Sequence, residues 1–305
     1  MPSELSTPDV LTAVTAATLA RTQAVMADTT AWAAVHGLPS PPHDLPLYAA
    51  HGPAAPASAA FSADTVWYAQ AWAAASALLH GERSSRSGRV CVARGEDRWW
   101  ATVVYPPGSD EEWHEVVNEV ERMTENEVDA SGRTLLLSPW RTPDLRGRGW
   151  ELAGYPVLLH RKAGDGGREA LAPPDLVLCR AGQEAWPAGF ITPADLAADV
   201  TGMLAGPWQP AGEVLYWSAR YGGEAVGVAA VVVAQGLWIP AAIAVRPDVR
   251  GQGIGRAMLA LLRPHLIEFA GRPSLALAPD HLAGIARAAG YRPRQRWVTW
   301  RKRGS

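Results

Sequence analysis

Ala242-Ile-Ala-Val-Arg-Pro-Asp-Val-Arg-Gly-Gln-Gly-Ile-Gly-Arg256, continued by Ala257-Met-Leu-Ala-Leu-Leu262, sends an apolar strand through an Arg/Gly turn directly into a helix. The chemistry of that turn suits a diphosphate. Glycines at 251, 253 and 255 let the backbone approach a ligand closely. The first amides of a helix have no partner within it, and here they face the turn. The helix dipole adds partial positive charge, worth about 0.3–1 kcal/mol per exposed anionic group. Arg250 and Arg256 bracket the turn with full charges.

Three anion-binding patterns compete for this stretch, beside the bland alternative of a Gly-rich turn without a ligand. A Walker A loop needs Gly-Lys followed by Ser or Thr, which is absent. A dinucleotide fingerprint starting at Gly253 and Gly255 needs glycine at 258, where Met258 stands. The third pattern, R-x-x-G-x-G, is filled without departure by Arg250, Gly253 and Gly255. In these residues, in Val245-Arg246-Pro247 before them and in the apolar helix after them, the chain resembles the GNAT (GCN5-related N-acetyltransferase) superfamily.

The resemblance spans roughly Asp175 to Arg303. It implies an α+β domain with a mixed sheet, splayed between the strand Leu237–Arg246 and the strand Ser274–Leu277, with acetyl-CoA in the opening. It further implies that backbone groups near Ile243, Ala244 and Val245 pair with the pantetheine arm. The amides of Gly251, Gln252, Gly253, Ile254, Gly255 and Arg256, with the Arg250 side chain, would then hold the pyrophosphate. The implied mechanism is direct transfer to an amine. A Tyr four residues before the closing glycine of the last helix often protonates the sulfur in this family. Counting back from Gly290 gives Ala286, and Pro279-Asp280 replaces the family's frequent Asn, so the acid is missing. A free thiol has a pKa near ~8.5, so thiolate can leave without obligatory protonation. Asp280, His281 and Tyr216 are the candidate substitute acids or bases near the expected cleft, set against the blander reading that Asp280 caps its helix and His281 is solvated.

Around this core the second half reads strand–helix–hairpin–strand–helix–strand–helix–strand. The elements are Leu176–Arg180, a helix from Thr192 or Asp195 to Leu204, Val214–Arg220 with Glu224–Ala234, Leu237–Arg246, a helix from Gly253, Ser274–Leu277, Asp280–Ala289 and Arg296–Lys302. The first half follows the same order. Ser62 can cap a helix to Leu79 with a core stripe of Val66, Trp67, Ala71, Ala74 and Leu78. Arg89–Ala93 and Arg98–Tyr105 form a hairpin, and Ser109-Asp-Glu-Glu112 is a capping box opening a helix. Thr134–Leu137 and Glu151–His160 follow as strands. Gly149-Trp150 precedes Val157 by the same spacing at which Gly290-Tyr291 precedes Val298, an internal echo. Residues 1–60 are therefore read as a helical segment and Pro-rich connector, 61–165 as a degenerate GNAT-like lobe, and 175–305 as the acetyl-CoA-binding catalytic domain.

The net charge of −2 hides an uneven distribution: Arg246–Arg303 holds 12 Lys+Arg against 3 Asp+Glu, so the rest carries −11. Where the first half aligns with the Arg/Gly turn it is acidic, with nine acids and one Arg from Asp110 to Asp129. That helix start would repel a diphosphate, so the first lobe is expected to bind no CoA. Two cysteines, Cys91 and Cys179, exclude a disulfide framework or a Cys-built zinc site, and no metal site is expected. No 18-residue apolar run or signal-like segment is present, so a cytoplasmic protein with neither membrane nor nucleic-acid partners is expected. The expected activity is acyl transfer to the amine of a small molecule bound between the lobes, among some of the 14 tryptophans such as Trp67, Trp72, Trp208 and Trp217. A protein amine is the other acceptor. The rival class is a non-catalytic acyl-CoA-binding sensor or scaffold.

Overall fold

The computed structural model describes residues 20, 23–24, 26–42, 44–50, 59–80, 84–94, 98–125, 133–163, 173–180, 214–265 and 271–302. The expected helix at 192–204, Trp208, the turn Gly95–Asp97 and most of the expected domain boundary lie outside these residues.

Among the described residues, beside the helical stretch 26–35, four helices and thirteen strands carry the architecture: α1 Ala59–His80, α2 Asp110–Glu125, α3 Ile254–His265 and α4 Asp280–Ala288 are the helices. The strands of the first half are β1 Ser84–Ser87, β2 Val90–Arg94, β3 Arg98–Val103, β4 Arg133–Ser138, β5 Trp150–Gly154 and β6 Val157–Arg161. Those of the second are β7 Leu176–Arg180, β8 Val214–Tyr221, β9 Glu224–Ala234, β10 Leu237–Val245, β11 Ser274–Ala278, β12 Arg292–Arg296 and β13 Val298–Lys302. They form two mixed sheets of order β1-β2-β3-β4-β13-β5 and β7-β8-β9-β10-β11-β6-β12. Both sheets begin antiparallel, contain one parallel pair (β3/β4 and β10/β11), and close with antiparallel pairs.

The two sheets exchange a strand. β6 leaves the first half and pairs with β11 and β12 of the second sheet. β13 leaves the second half and pairs with β4 and β5 of the first. The strand expected over Glu151–His160 is therefore two strands in different sheets, broken at Gly154-Tyr155-Pro156. The strand expected over Arg296–Lys302 also divides, at Trp297. Gly154 has φ +141°, and a proline cannot donate to a ladder, so the chain turns there rather than extending. β6 is buried along its whole length, as befits a strand paired on both edges with both faces covered.

α1 begins at Ala59, before the expected cap at Ser62. Its burial is not a single stripe: Tyr68, Ala69, Ala71, Trp72, Ala73, Ala75 and Leu79 are all buried, and Val66, Trp67, Ala74 and Leu78 pack partly. The helix lies against β2 and β3 on one side and β9 and β10 on the other. A helix held between two sheets must be apolar nearly all round. A second core, built from Trp217, Ile254, Met258, Leu262, Ala283, Ala286 and Tyr291 with the inner residues of β7–β11, fills the opposite face of the second sheet. The α2 capping box forms in altered shape. Glu112 N donates to Ser109 Oγ (3.3 Å), while the Glu112 carboxylate accepts from Gly108 N and from Arg89 Nη2. No helix of the described residues is long and apolar enough to cross a membrane.

Candidate acyl-CoA site

The second sheet splays where the sequence places an acyl-CoA cleft. β10 and β11 pair at a single register point, Trp238 opposite Ser274, with Trp238 N donating to Pro273 O (3.2 Å). The cause is in the sequence. Residues facing β11 alternate with those facing β9, so after Trp238 the next amide aimed at β11 belongs to Pro240, which has none. The β9/β10 register then shifts between Pro240 and Ala242. Such a bulge turns the strand and reverses the alternation beyond it. Arg246 N bonds Val226 O (2.8 Å) on β9, so Ala242, Ala244 and Arg246 face β9. Ile243 and Val245 therefore present their N–H and C=O groups to the opening. Ala244, grouped with them from sequence, turns its backbone away.

At the end of β10 a 3-10 turn, Pro247–Val249, leads into the Arg/Gly turn. Gly251 and Gly253 both have φ +81°, a conformation that costs other residues about 1–2 kcal/mol. A Cβ on Gly255 would stand 3.4 Å from Val245 Cγ2, so glycine lets the α3 start close onto the strand end. The first intrahelical bond runs from Ala257 N to Gly253 O (2.9 Å), so the amides of Ile254, Gly255 and Arg256 precede the ladder and point at the turn. Arg250 is held by Nε donating to Val245 O (2.9 Å). Arg256 Nη2 lies 3.8 Å from a Cβ built on Gly253, which sets its guanidinium beside the cradle. Glu224 and Asp248 take Arg246 instead and hold its pKa above the ordinary arginine value. A narrow cleft edge, a glycine cradle and two arginines fit a CoA diphosphate.

The three candidate catalytic residues are not brought together. Asp280 opens α4, and both its oxygens accept from Arg296 (2.8 and 3.0 Å). It is thus a clamp on a buried arginine rather than an acid facing the cleft. Arg296, 1% exposed, also binds both oxygens of Asp44 (2.9 Å each) and Tyr155 O (2.6 Å). His281 is exposed on α4. Tyr216 packs half-buried on the α1 side of β8, where burial raises its pKa, while its neighbour Trp217 faces the second core. Trp72 is buried in the first core, and Trp67 donates to Gln235 O (2.9 Å). Ala286, where the family often has Tyr, is 4% exposed inside the second core. Tyr291 is structural, its hydroxyl 2.6 Å from Ser274 Oγ and its pKa driven up mainly by burial.

The corresponding place in the first lobe is closed. β3 and β4 pair at five consecutive positions, Arg98 with Arg133 through Thr102 with Leu137, leaving no splay. The Glu112 carboxylate occupies the start of α2. The Arg146-Gly-Arg-Gly149 loop is committed too. Arg146 binds Asp144, His36 O and Gly37 O, and Arg148 binds Asn118 and Glu121.

One group was not visible from motifs. His160 on β6, 7% exposed, packs tilted against the Tyr68 ring of α1 with centroids 5.5 Å apart, and Arg294 Nη2 lies 3.5 Å from its Nδ1. Its only signal in the sequence is a histidine inside the apolar run Val157–Arg161.

The second sheet thus opens at its one parallel pair onto a glycine turn at the start of a helix. Residues 212–290 match the family model described as an acetyltransferase (GNAT) domain. The fold resembles that of a GCN5-related N-acetyltransferase from Kribbella flavida, with 21% identity over 78% of this chain and 96% of that one and a TM-score of 0.58. It also resembles a functionally unknown conserved protein from Staphylococcus epidermidis ATCC 12228 (13%, 74% and 96%, 0.51). A GCN5-related N-acetyltransferase-like protein from Streptococcus suis 89/1591 is similar to the same degree (13%, 78% and 98%, 0.50). These likenesses are of fold, and their coverage extends over both lobes. No curated protein matches the chain.

Proposed function

We propose that the chain transfers an acyl group, acetyl above all, from acetyl-CoA to the amine of a small molecule, at one site in the second lobe. The observation that carries this is the single-point pairing of β10 and β11 beside the turn Arg250–Arg256. Acetyl-CoA would supply an activated thioester. Gly251 to Arg256 would hold its diphosphate with backbone amides, and Arg250 and Arg256 with charge. The outward groups of Ile243 and the Val245 N–H would hold the pantetheine arm, since Val245 O already accepts from Arg250, and a β10 N–H would steady the negative charge that develops on the acyl oxygen.

The acceptor nitrogen bonds to the acyl carbon as the carbon–sulfur bond breaks, and the nitrogen gives its proton to the departing thiolate or to solvent. Direct transfer is supported by the cysteines. Cys91 is buried in the first lobe, and Cys179 is exposed on the edge strand β7, three strands from β10. α1 with Tyr216, Ala241 and Leu277 covers the face of the sheet away from α3 and would exclude water there. With Asp280 engaged by Arg296 and Ala286 in the core, rate must come from positioning and oriented donors. The first lobe is proposed to be a degenerate partner that binds no CoA.

The buried Ala286 specifically favours the second reading, a sensor that binds acyl-CoA without turnover. Release of free thiol from acetyl-CoA in the presence of an amine panel separates the two. Amine-dependent release supports transfer, whereas tight acetyl-CoA binding with no release on any amine supports the sensor.

A further inference from the structure

β12 is the edge strand of the second sheet, and its pairing with β6 shifts register between Pro293 and Gln295, leaving Arg294 as the extra residue. A bulge re-aims side chains. Here it sends two consecutive residues across the face covered by α1. Arg294 reaches His160 on β6, and Gln295 reaches Thr65 on α1, whose hydroxyl donates to Oε1 (3.0 Å). The neighbouring arginine Arg296 has two carboxylates, but Arg294 has none among the described residues. Gln295 is 3% exposed, and its Nε2 has no partner among the described residues. A buried amide donor without an acceptor is costly unless something satisfies it.

The rest of the cluster consists of rings and donors, with one imidazole and one acid among them. A guanidinium only donates, so in this contact His160 Nδ1 is the accepting side. The hydroxyls of Tyr48 and Tyr68 lie within the field of Arg294. Burial raises both pKa values, Asp64 raises that of Tyr68 further, and Arg294 offsets part of the rise. Both phenols thus stay protonated. Asp64, one turn before Tyr68 on α1, is the acid that acts on this group. One guanidinium, one orphan amide and phenolic donors match a singly charged, planar carboxylate better than a doubly charged phosphate.

We propose that the acceptor is an amine that also carries a carboxylate, and that Arg294, aimed by the β12 bulge beside Gln295, Tyr68 and His160, holds that carboxylate. The subsite stands next to the cleft. β11 forms one wall of the opening and β6 and β12 follow it, each about 4.8 Å further out. Arg294 reaches back over β6, so the carboxylate sits about 5–10 Å from the wall, the reach of an amino acid or short peptide. The inference rests on the acyltransferase reading for the ligand's role, and on Arg294 and its neighbours for its chemistry.

Binding is measured on the full chain saturated with CoA. The ligands are the standard amino acids, β-alanine, γ-aminobutyrate and glycylglycine, each beside its carboxamide. Calorimetry is expected to find at least one ligand that binds as the acid and about 10- to 100-fold more weakly as the amide. Arg294→Gln is expected to erase that difference while acetyl-CoA affinity, which reports the fold, holds. Arg294→Lys restores part of it. Equal binding of acid and amide across the panel, no binding by any acid, or an unchanged preference in Arg294→Gln would overturn the inference. Thiol release is followed with the same ligands. Carboxylate-dependent binding without release leaves the subsite standing and sinks the transferase reading. Release from amines regardless of their carboxylate does the reverse.

Discussion

The backbone amide of Trp297 donates to the carbonyl of Pro156 (2.9 Å). These two residues are the crossing points at which the chain leaves one sheet and enters the other. Tyr155-Pro156 links β5 of the first sheet to β6 of the second, and Trp297 links β12 of the second to β13 of the first. Each lobe is therefore completed by a strand of the other. The chain is expected to unfold in a single transition in urea, with tryptophan fluorescence and far-ultraviolet circular dichroism coinciding. A fragment of residues 173–305 alone, lacking β6 between β11 and β12, is expected not to fold cooperatively. Two separated transitions, or a stable fragment, would contradict the exchange.

Arg296 anchors this crossing from beneath. Its amide donates to Pro46 O (2.9 Å), and its guanidinium joins Asp44 of the connector to Asp280 of α4. Burial opposes its charge, but the two carboxylates outweigh burial and raise its pKa. Arg296→Met removes the buried partner of both acids, which are half exposed and keep their hydration, and is expected to cost about 1–3 kcal/mol in urea denaturation. A loss under 1 kcal/mol would show that the clamp is not structural.

Glu121 of α2 gives stability a pH dependence of known sign. Burial alone would raise its pKa, but hydrogen bonds from Trp150, Lys302 and Arg148 hold it below the ordinary value. A carboxyl depressed in the folded state adds stability that is present above its unfolded pKa of about 4.3 and is lost as pH falls through the folded value. Glu121→Gln is therefore expected to be less stable than the parent at pH 7 and to converge on it in acid. Parallel stability curves from pH 7 to pH 3 would refute the assignment.

The missing family acid cannot be restored by writing it back. Ala286 faces the core formed by α3, α4 and the sheet. Ala286→Tyr overfills that core and is expected to destabilise by about 1–3 kcal/mol or more, without raising the rate of thiol release. A faster, stable variant would mean that the position opens to the cleft.

Much of the second lobe was legible because its signals are local. The Arg/Gly turn, the Tyr221-Gly222-Gly223 hairpin and the apolar strand Leu237–Val245 each identify themselves within a few residues. Pro240, which ends the β10/β11 ladder, was not singled out, because the strand was read as continuous from Leu237 to Arg246. The exchange was not legible, because its breaks are one or two residues long and strand pairing is a long-range property. The equal spacings from Gly149-Trp150 to Val157 and from Gly290-Tyr291 to Val298 were its only trace. The even burial of α1 escaped for a similar reason: a stripe was read for one sheet, and the helix serves two. Asp280 seemed to belong to the cleft because its neighbours in sequence do, while its partners Arg296 and Asp44 come from β12 and the N-terminal connector.

Within the cradle, Gly253→Glu introduces a side chain and a negative charge where φ is +81° and Arg256 lies alongside. It is expected to abolish acetyl-CoA binding while the chain stays folded. Arg256→Ala is expected to weaken binding about 10-fold, the loss of one charge-assisted contact. Unchanged affinities in both would remove the turn from the site.

Titration of the full chain with acetyl-CoA in a calorimeter tests the central claim most directly, since it counts sites as well as measuring them. One open cleft in the second lobe and a closed, acid-filled counterpart in the first predict one molecule bound per chain. A stoichiometry of zero would contradict the cradle, and a stoichiometry of two would contradict the degenerate first lobe.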